Sequence, residues 1–265
     1  MPVCEPCYNR LKPQSARLCV CCGEDLGIRE FSTSNRRIDE DVLPEFCRPC
    51  EVVPPDFEKA VAFGTYEGTL RGLIHLLKYQ RMEPVAQRLG ALVAGSLPGL
   101  LKDGVETMVI PVPLHRSKRE DRGFNQATLI ARAIIRAVRR KGPSGRLKLA
   151  EGLLERRKAT ESQAGLTTHQ RRRNLSGAFF VSAAAAQKLA GREVLLIDDI
   201  YTTGATARAC SKALRKAGAS RVVVATVARA QREGTVKWDS TMDLTVSPNP
   251  EGKAAAAWLS SRFNP

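Results

Sequence analysis

The chain predicts an α/β fold: a mostly parallel sheet with helices on both faces, preceded by a small cysteine-rich module. Three observations predict it. From about residue 59 to about residue 230, short apolar runs alternate with segments of helical periodicity, as strands joined by crossover helices do. One run, Val194-Leu-Leu-Ile197, passes directly into Asp198-Asp199 and a Thr/Gly-rich turn. Seven of the eight cysteines fall within the first fifty residues, where large apolar side chains are few. A chain of 265 residues can bury one sizeable core and carry an appendage. The expected division is a cysteine-rich module over 1–53, an α/β domain over 57–230 and a tail of unassigned role over 231–265.

In the module, Cys4-Glu-Pro-Cys7, Cys19-Val-Cys-Cys22 and Cys47-Arg-Pro-Cys50 form three C-x-x-C pairs. Each pair sets two thiolates on one side of a tight turn, and two such turns complete the tetrahedral four-sulfur set that Zn²⁺ prefers. Metal would replace the core that this segment lacks. The sequence has no secretory signal and no apolar run long enough to span a membrane, so a cytoplasmic location is expected. In a reducing compartment paired cysteines read as metal ligands rather than disulfides. A redox role is the weaker reading, because the pairs do not adjoin a βαβ unit. One structural zinc is expected, and two pairings stay open: Cys4/Cys7 with Cys19/Cys22, or Cys19/Cys22 with Cys47/Cys50. Cys21 lies between ligand positions, and Cys210, in a helical segment, reads as a small core residue.

Pro54-Pro55 reads as a linker. A strand is expected over 59–66, then a helix carrying Leu70, Leu73, Ile74, Leu76 and Leu77 that ends at Lys78-Tyr79, then a helix over 84–97. Strands are expected near 108–113, 178–182, 193–197 and 221–228, with helices over 127–140 and 206–217. Gly218 and the basic pair Arg215-Lys216 mark the end of the last helix. Between strand and helix, His115 to Gln126 is a basic loop. Within it Arg116, Lys118 and Arg119 read as solvated surface charge. Arg122, Gly123, Asn125 and Gln126 make a compact donor set at a helix start, suited to an anion. The polar, basic segment 156–174 reads as a mobile loop or partial helix near the site.

The apolar run before Asp198 and Asp199 reads as a parallel strand buried on both faces, which puts the two carboxylates at the carboxyl edge where open α/β sheets bind ligands. Thr202, Thr203, Gly204, Ala205 and Thr206 then supply backbone N–H groups and hydroxyls at a helix N-terminus, a cradle for phosphate. Carboxylates beside a phosphate cradle make sense if they hold a sugar diol, or Mg²⁺ that bridges them to a diphosphate.

The thirteen residues from Val194 to Thr206 resemble the phosphoribosyl pyrophosphate (PRPP) loop of type I phosphoribosyltransferases. The resemblance implies that Asp198 and Asp199 contact the ribose 2′- and 3′-hydroxyls and that 202–206 bind the 5′-phosphate. A longer order of motifs sharpens it: the cysteine pairs, Leu77-Lys-Tyr79, Pro111-Val-Pro-Leu-His115, Arg122-Gly-Phe-Asn-Gln126, Thr160-x-x-Gln163, Arg171-x-x-Asn174-x-x-Gly177-Ala-Phe179, and the PRPP loop. Over about residues 3 to 229 this order is similar to the ComF family, phosphoribosyltransferase-like proteins with an N-terminal double zinc ribbon associated with competence for DNA uptake. Family members with the full ribbon often carry four C-x-x-C pairs, and this chain carries three. The tail, with Trp238 and Trp258, has no counterpart.

The resemblance implies PRPP with Mg²⁺ as ligand. Arg122 and Arg171, with Lys78, would face the pyrophosphate charge while a nitrogen nucleophile attacks C1. The right-handed crossovers of the expected fold would bring Arg122, Arg171 and Asp198/Asp199 around one cleft. Residues 115–173 hold seventeen Lys/Arg against five Asp/Glu, so +12 of the chain's +15 lies there, which implies a polyanionic partner. Two classes of function follow. One is a phosphoribosyl-transferring enzyme. The other is a non-catalytic accessory protein that binds single-stranded DNA or RNA, with PRPP as ligand or regulator. A third possibility is that the cysteine module docks proteins of the DNA-uptake machinery.

Overall fold

The structure, a computed structural model, describes residues 3–14, 17–26, 45–140, 146–158, 175 and 177–231. Five strands form one wholly parallel sheet: β1 (Lys59–Thr65), β2 (Glu106–Pro111), β3 (Arg146–Leu149), β6 (Glu193–Tyr201) and β7 (Arg221–Arg229), in the order β1-β7-β6-β2-β3. A two-stranded antiparallel ribbon, β4 (Glu155–Arg156) with β5 (Phe179–Phe180), stands apart from it.

The central strands β6 and β7 are apolar on both faces, as a doubly covered parallel sheet requires. Side chains alternate across the sheet. Val194 and Leu196 of β6, with Val222 and Val224 of β7, enter one layer that also holds the buried cysteines and the helices α7 (Ala183–Leu189) and α8 (Ala205–Lys216). Leu195, Ile197, Val223 and Ala225 enter the other, against α3 (Gly68–Tyr79), α4 (Pro84–Gly95) and α6 (Gln126–Arg140). Burying each such side chain stabilises the fold by roughly 1.5–3 kcal/mol.

Two differences from the sequence-based expectation bear on the site. The run at 178–182 does not join the main sheet. Phe179 is buried in the layer of the cysteines, against α8, and only Phe179–Phe180 pair, with β4. The outer position is taken by Arg146–Leu149, a short strand whose alternating polar residues suit an edge. The expected loop after β2 contains a helix, α5 (Arg116–Arg122), capped at its start by His115 Nδ1, which accepts from the Ser117 N–H, and ended at Gly123 with φ 80°.

The cysteine-bearing segments pack on the other edge of the sheet. Ala60 N–H of β1 donates to the Cys21 carbonyl at 2.7 Å, and Gln14 N–H donates to the Phe63 carbonyl at 2.8 Å. Edge groups of β1 are thereby covered. Short helices α1 (Glu5–Asn9) and α2 (Arg48–Val52) follow Cys4 and Cys47, each with a proline in its first turn.

Candidate functional site

The parallel ladder between β2 and β6 stops at Pro111 opposite Ile197. β6 runs on to Tyr201, paired with β7 alone through Asp198–Thr226, Ile200–Ala228 and Tyr201–Arg229. The strand was expected to end at Ile197; it continues because β7 is long enough to keep pairing. Asp198 and Asp199 therefore sit on a rigid strand at the place where a neighbour has peeled away.

Successive residues of a strand point to opposite faces, and the two carboxylates meet different surroundings. Asp199 is buried, 5% exposed, on the side of α3. Lys78 Nζ lies 3.0 Å from its Oδ2, an ion pair in which that oxygen still lacks a well-directed hydrogen bond. Burial alone would lower the Lys78 pKa, but the attraction of Asp199 and then Asp198 outweighs it and holds the ammonium above its usual range. Asp198 Oδ1 accepts the Asp199 backbone N–H at 2.9 Å. Burial, followed by repulsion from Asp199, pushes the Asp198 carboxyl up to about 7.

Cations converge on this pair from three elements. Lys78 comes from α3, Lys118 and Arg122 from α5, and Arg156 from β4. The Lys118 pKa is lowered by burial and then by Arg156, Arg122 and Lys78. Arg122 Nη1 donates to Gln126 Oε1 at 2.7 Å, with its guanidinium 5.6 Å from the Tyr79 ring centroid. Arg156 stands 5.6 Å from the Phe179 ring, and burial lowers its pKa despite Cys210 and Asp198 nearby. Lys118 was read from sequence as solvated charge; on α5 it faces the other three cations instead. Arg156 was read only as part of a mobile segment. A cation at i+2 of a short helix and one on a two-residue strand carry no local pattern that would have singled them out. Arg171 lies outside the described residues.

After Tyr201 the turn 202–204 leads into α8, with Gly204 at its N-cap. Gly204 has φ 75°, and a Cβ there would lie 2.2 Å from the Tyr201 hydroxyl. No other residue fits without displacing that ring. The Gly204 carbonyl accepts from Arg208 at 2.9 Å, and Thr203 Oγ1 accepts from Ala205 N–H at 3.4 Å. Asp198, Thr202, Gly204 and Thr206 line one small cleft with Val112 and Ile200. Asn125 is spent on the fold: its amide donates to the Val112 carbonyl at 3.0 Å and accepts the Ala127 N–H at 3.0 Å. It pins the start of α6 to the end of β2. Gly123 ends α5, and Gln126 orients Arg122.

The arrangement joins an anion-binding helix start, four cations and two carboxylates, one with an under-satisfied buried oxygen. That oxygen and the half-protonated Asp198 suit a divalent cation or sugar hydroxyls.

A second site lies on the far side of the loop. Cys19, Cys22, Cys47 and Cys50 are all buried, and their sulfurs lie within 4.8 Å of one another. Cys22 and Cys47 sulfurs are 3.5 Å apart. A tetrahedral zinc with Zn–S of ~2.3 Å sets sulfurs ~3.8 Å apart, so the four can hold a metal such as zinc. Of the two pairings open in the sequence, the structure assembles the second. Cys4 is exposed and Cys7 half-buried, outside that cluster; on the five-residue helix α1 they have no second pair of thiols beside them. Cys21 is buried outside the four-sulfur group but close enough to Cys50 to help push that thiol up, and Cys210 is a fully buried residue of α8.

Residues 125–258, just over half of the chain, match the family model described as "Phosphoribosyl transferase domain". The chain is 29% identical over 235 residues to "Competence protein F" of Haemophilus influenzae, covering 86% of this chain and 90% of that one. It is 30% identical over 184 residues to "DNA utilization protein YhgH" of Shigella flexneri, covering 67% and 75%. It is 24% identical over 224 residues to "Competence protein ComFC" of Bacillus subtilis, covering 82% and 79%. The chain belongs to the phosphoribosyl transferase domain family and, within it, to the ComF family.

Proposed function

We propose that the chain binds PRPP with Mg²⁺ at the carboxyl end of β6 and transfers the phosphoribosyl group to a nucleophile with release of pyrophosphate, in the service of DNA uptake or use. The observation that carries this reading is the opposed surroundings of Asp198 and Asp199 beside a glycine-capped helix start. Phosphate alone would not call for two carboxylates. A ligand with a diol and separate phosphates does.

In this reading the N–H groups of 202–206 and the hydroxyls of Thr202, Thr203 and Thr206 hold the 5′-phosphate. Asp198 and Asp199 hold the ribose hydroxyls and fix C1 over the cleft. Lys78, Lys118, Arg122 and Arg156 face the pyrophosphate and stabilise the charge that grows as the C1–O bond breaks. Bound Mg²⁺ would add Lewis-acid neutralisation of the leaving pyrophosphate, with Asp198 and Asp199 as its nearest ligands. A nitrogen nucleophile then attacks the oxocarbenium-like C1, and its proton leaves to solvent or to a basic group.

The test is calorimetric titration of PRPP with Mg²⁺ into the metal-loaded chain, beside an Asp198→Ala/Asp199→Ala variant. Binding that the variant loses supports the reading. Absent binding to folded wild type rejects it.

The chain's charge supports a second reading, a non-catalytic protein for single-stranded nucleic acid. Arg136, Arg139 and Arg140 are exposed along α6, away from the carboxylates. Affinity for a single strand that falls steeply with salt, and falls less steeply once these arginines are replaced, would support it.

A further inference from the structure

The cysteine cluster touches the loop's supports at two points. Arg229, the last residue of β7, is 2% exposed. Its guanidinium donates to the Cys22 carbonyl and to Glu24, and lies 3.6 Å from Cys22 Sγ. The same guanidinium stacks 4.3 Å from the centre of the Tyr201 ring. Tyr201 in turn fills the space that a Cβ on Gly204 would need. So the first cysteine turn is linked to the entry of the loop through Arg229 and Tyr201.

The second turn is linked to the loop's exit. Arg208 sits one helical turn after Gly204 and donates its backbone N–H to the Gly204 carbonyl. Its side chain donates to Val53 O at 2.5 Å and Pro49 O at 3.3 Å, and lies 3.6 Å from Cys50 Sγ. Four thiolates on one divalent metal carry two net negative charges. Two guanidiniums at two of those sulfurs offset that charge, Arg229 while also paired with Glu24.

We propose that metal held by Cys19, Cys22, Cys47 and Cys50 sets the order of loop 201–206 through Arg229 and Arg208, which act as positioning residues for the phosphoribosyl site. Without the metal the sulfurs no longer draw the two arginines in, and both ends of the loop lose their anchor. The cysteine cluster is therefore a clamp on the ligand site, and occupancy at either place strengthens the other. This inference rests on the PRPP reading for its ligand but not for its loop. Coupling between two binding events is reciprocal, so PRPP should hold the metal as firmly as the metal favours PRPP.

Hydrogen exchange on the full chain, loaded with zinc and then stripped by a chelator, reads the loop directly. Protection over 201–206 and the first turn of α8 is expected to fall at least tenfold, while α4 and α6 in the opposite layer keep theirs. An unchanged loop overturns the proposal. If stripping unfolds the whole chain, zinc-loaded Arg208→Ala decides. There, unchanged zinc content with a loop exchanging at least threefold faster supports the clamp, and a loop like that of wild type overturns it. Chelator-driven zinc release, followed with and without PRPP and Mg²⁺, is expected to slow about tenfold with ligand in the wild type. That ratio should approach one in Arg208→Ala and recover in part in Arg208→Lys. A ratio kept in full by Arg208→Ala also overturns the proposal. Should PRPP not bind loaded wild type at all, the ligand reading falls, and exchange over 201–206 alone judges the clamp.

Discussion

Two anionic clusters lie on either side of one short loop, and they are finished differently. At the cysteine cluster every nearby cation is committed to protein. Arg229 and Arg208 reach carbonyls and sulfurs on the two cysteine turns, and the sulfurs are sealed within the core layer that holds α7 and α8. At the carboxylate pair the pairing is less complete: Asp199 Oδ2 has the Lys78 ion pair but no well-directed donor, burial and Asp199 push the Asp198 carboxyl up to about 7, and Lys118 is crowded by like charge. A cluster that a bound metal would complete serves the fold. A cluster that gains most when something charged and polar arrives serves a ligand, and its strain is the usual cost of function.

The comparison can be broken most sharply at the cysteines. Cys22→Ser or Cys47→Ser should remove the metal and with it several kcal/mol of folding free energy, lowering Tm by more than about 10 °C. Cys4→Ser, at an exposed thiol, should change stability by no more than about 0.5 kcal/mol. Equal losses from the two, in thermal melts with metal analysis, would erase the distinction between the pairs.

Next comes the carboxylate pair. Asp198→Ala/Asp199→Ala should weaken PRPP binding by at least about a hundredfold. Asp198→Asn should stabilise the protein at pH 7.5 by about 1 kcal/mol. Its carboxyl is raised to about 7 in the folded chain, so the folded state holds the proton more tightly than the unfolded one. The stability this adds is present at low pH and is lost as pH rises from about 4, the ordinary carboxyl value, through about 7. Asn keeps the size and cannot ionise. A pH-dependent urea series on both proteins tests the sign, and a slope of opposite sense would contradict the assignment.

Gly204→Ala should destabilise by about 1–3 kcal/mol, from the left-handed backbone and the clash with Tyr201. It should impair PRPP binding while leaving zinc content intact, which separates the loop from the clamp. The smallest effects are electrostatic. PRPP affinity should rise a few-fold from pH 6 to 8 as Asp198 ionises, and then level off. Lys118→Ala should weaken binding about tenfold yet leave Tm unchanged or slightly higher, because it relieves repulsion among cations. A Tm that falls instead would place Lys118 in the fold rather than at the ligand.

Much of this was legible in the chain because it is local. Val194–Ile197 carries its own burial pattern, and Asp198, Asp199 and the glycine of the turn follow within a few residues, so strand, carboxylates and helix start come as one block. Lys78 too could be named, since it ends a clearly amphipathic helix. Asn125 shows the limit of motif reading: its position in the motif is real, and its amide is engaged with Val112 and Ala127. The strand at 146–149 escaped notice because edge strands need few apolar residues. The run at 178–182 misled because an apolar segment can pack on a helix as well as in a sheet.

By itself the sequence determined the parallel α/β architecture, the carboxylate pair with its glycine-capped loop, and the presence of cysteine pairs at metal-ligand spacing. These depend on periodicity and spacing within short stretches, where chain geometry leaves few alternatives. Only the tertiary structure decided which four cysteines assemble, that Lys118 and Arg156 meet Lys78 and Arg122, and that Arg229 and Arg208 tie the cysteines to the loop. The arginine ties join residues more than 150 positions apart, Arg208 with Cys50 and Arg229 with Glu24. Each exists only because the sheet has already closed the intervening chain and removed water around the charges, so that a distant partner becomes the nearest one.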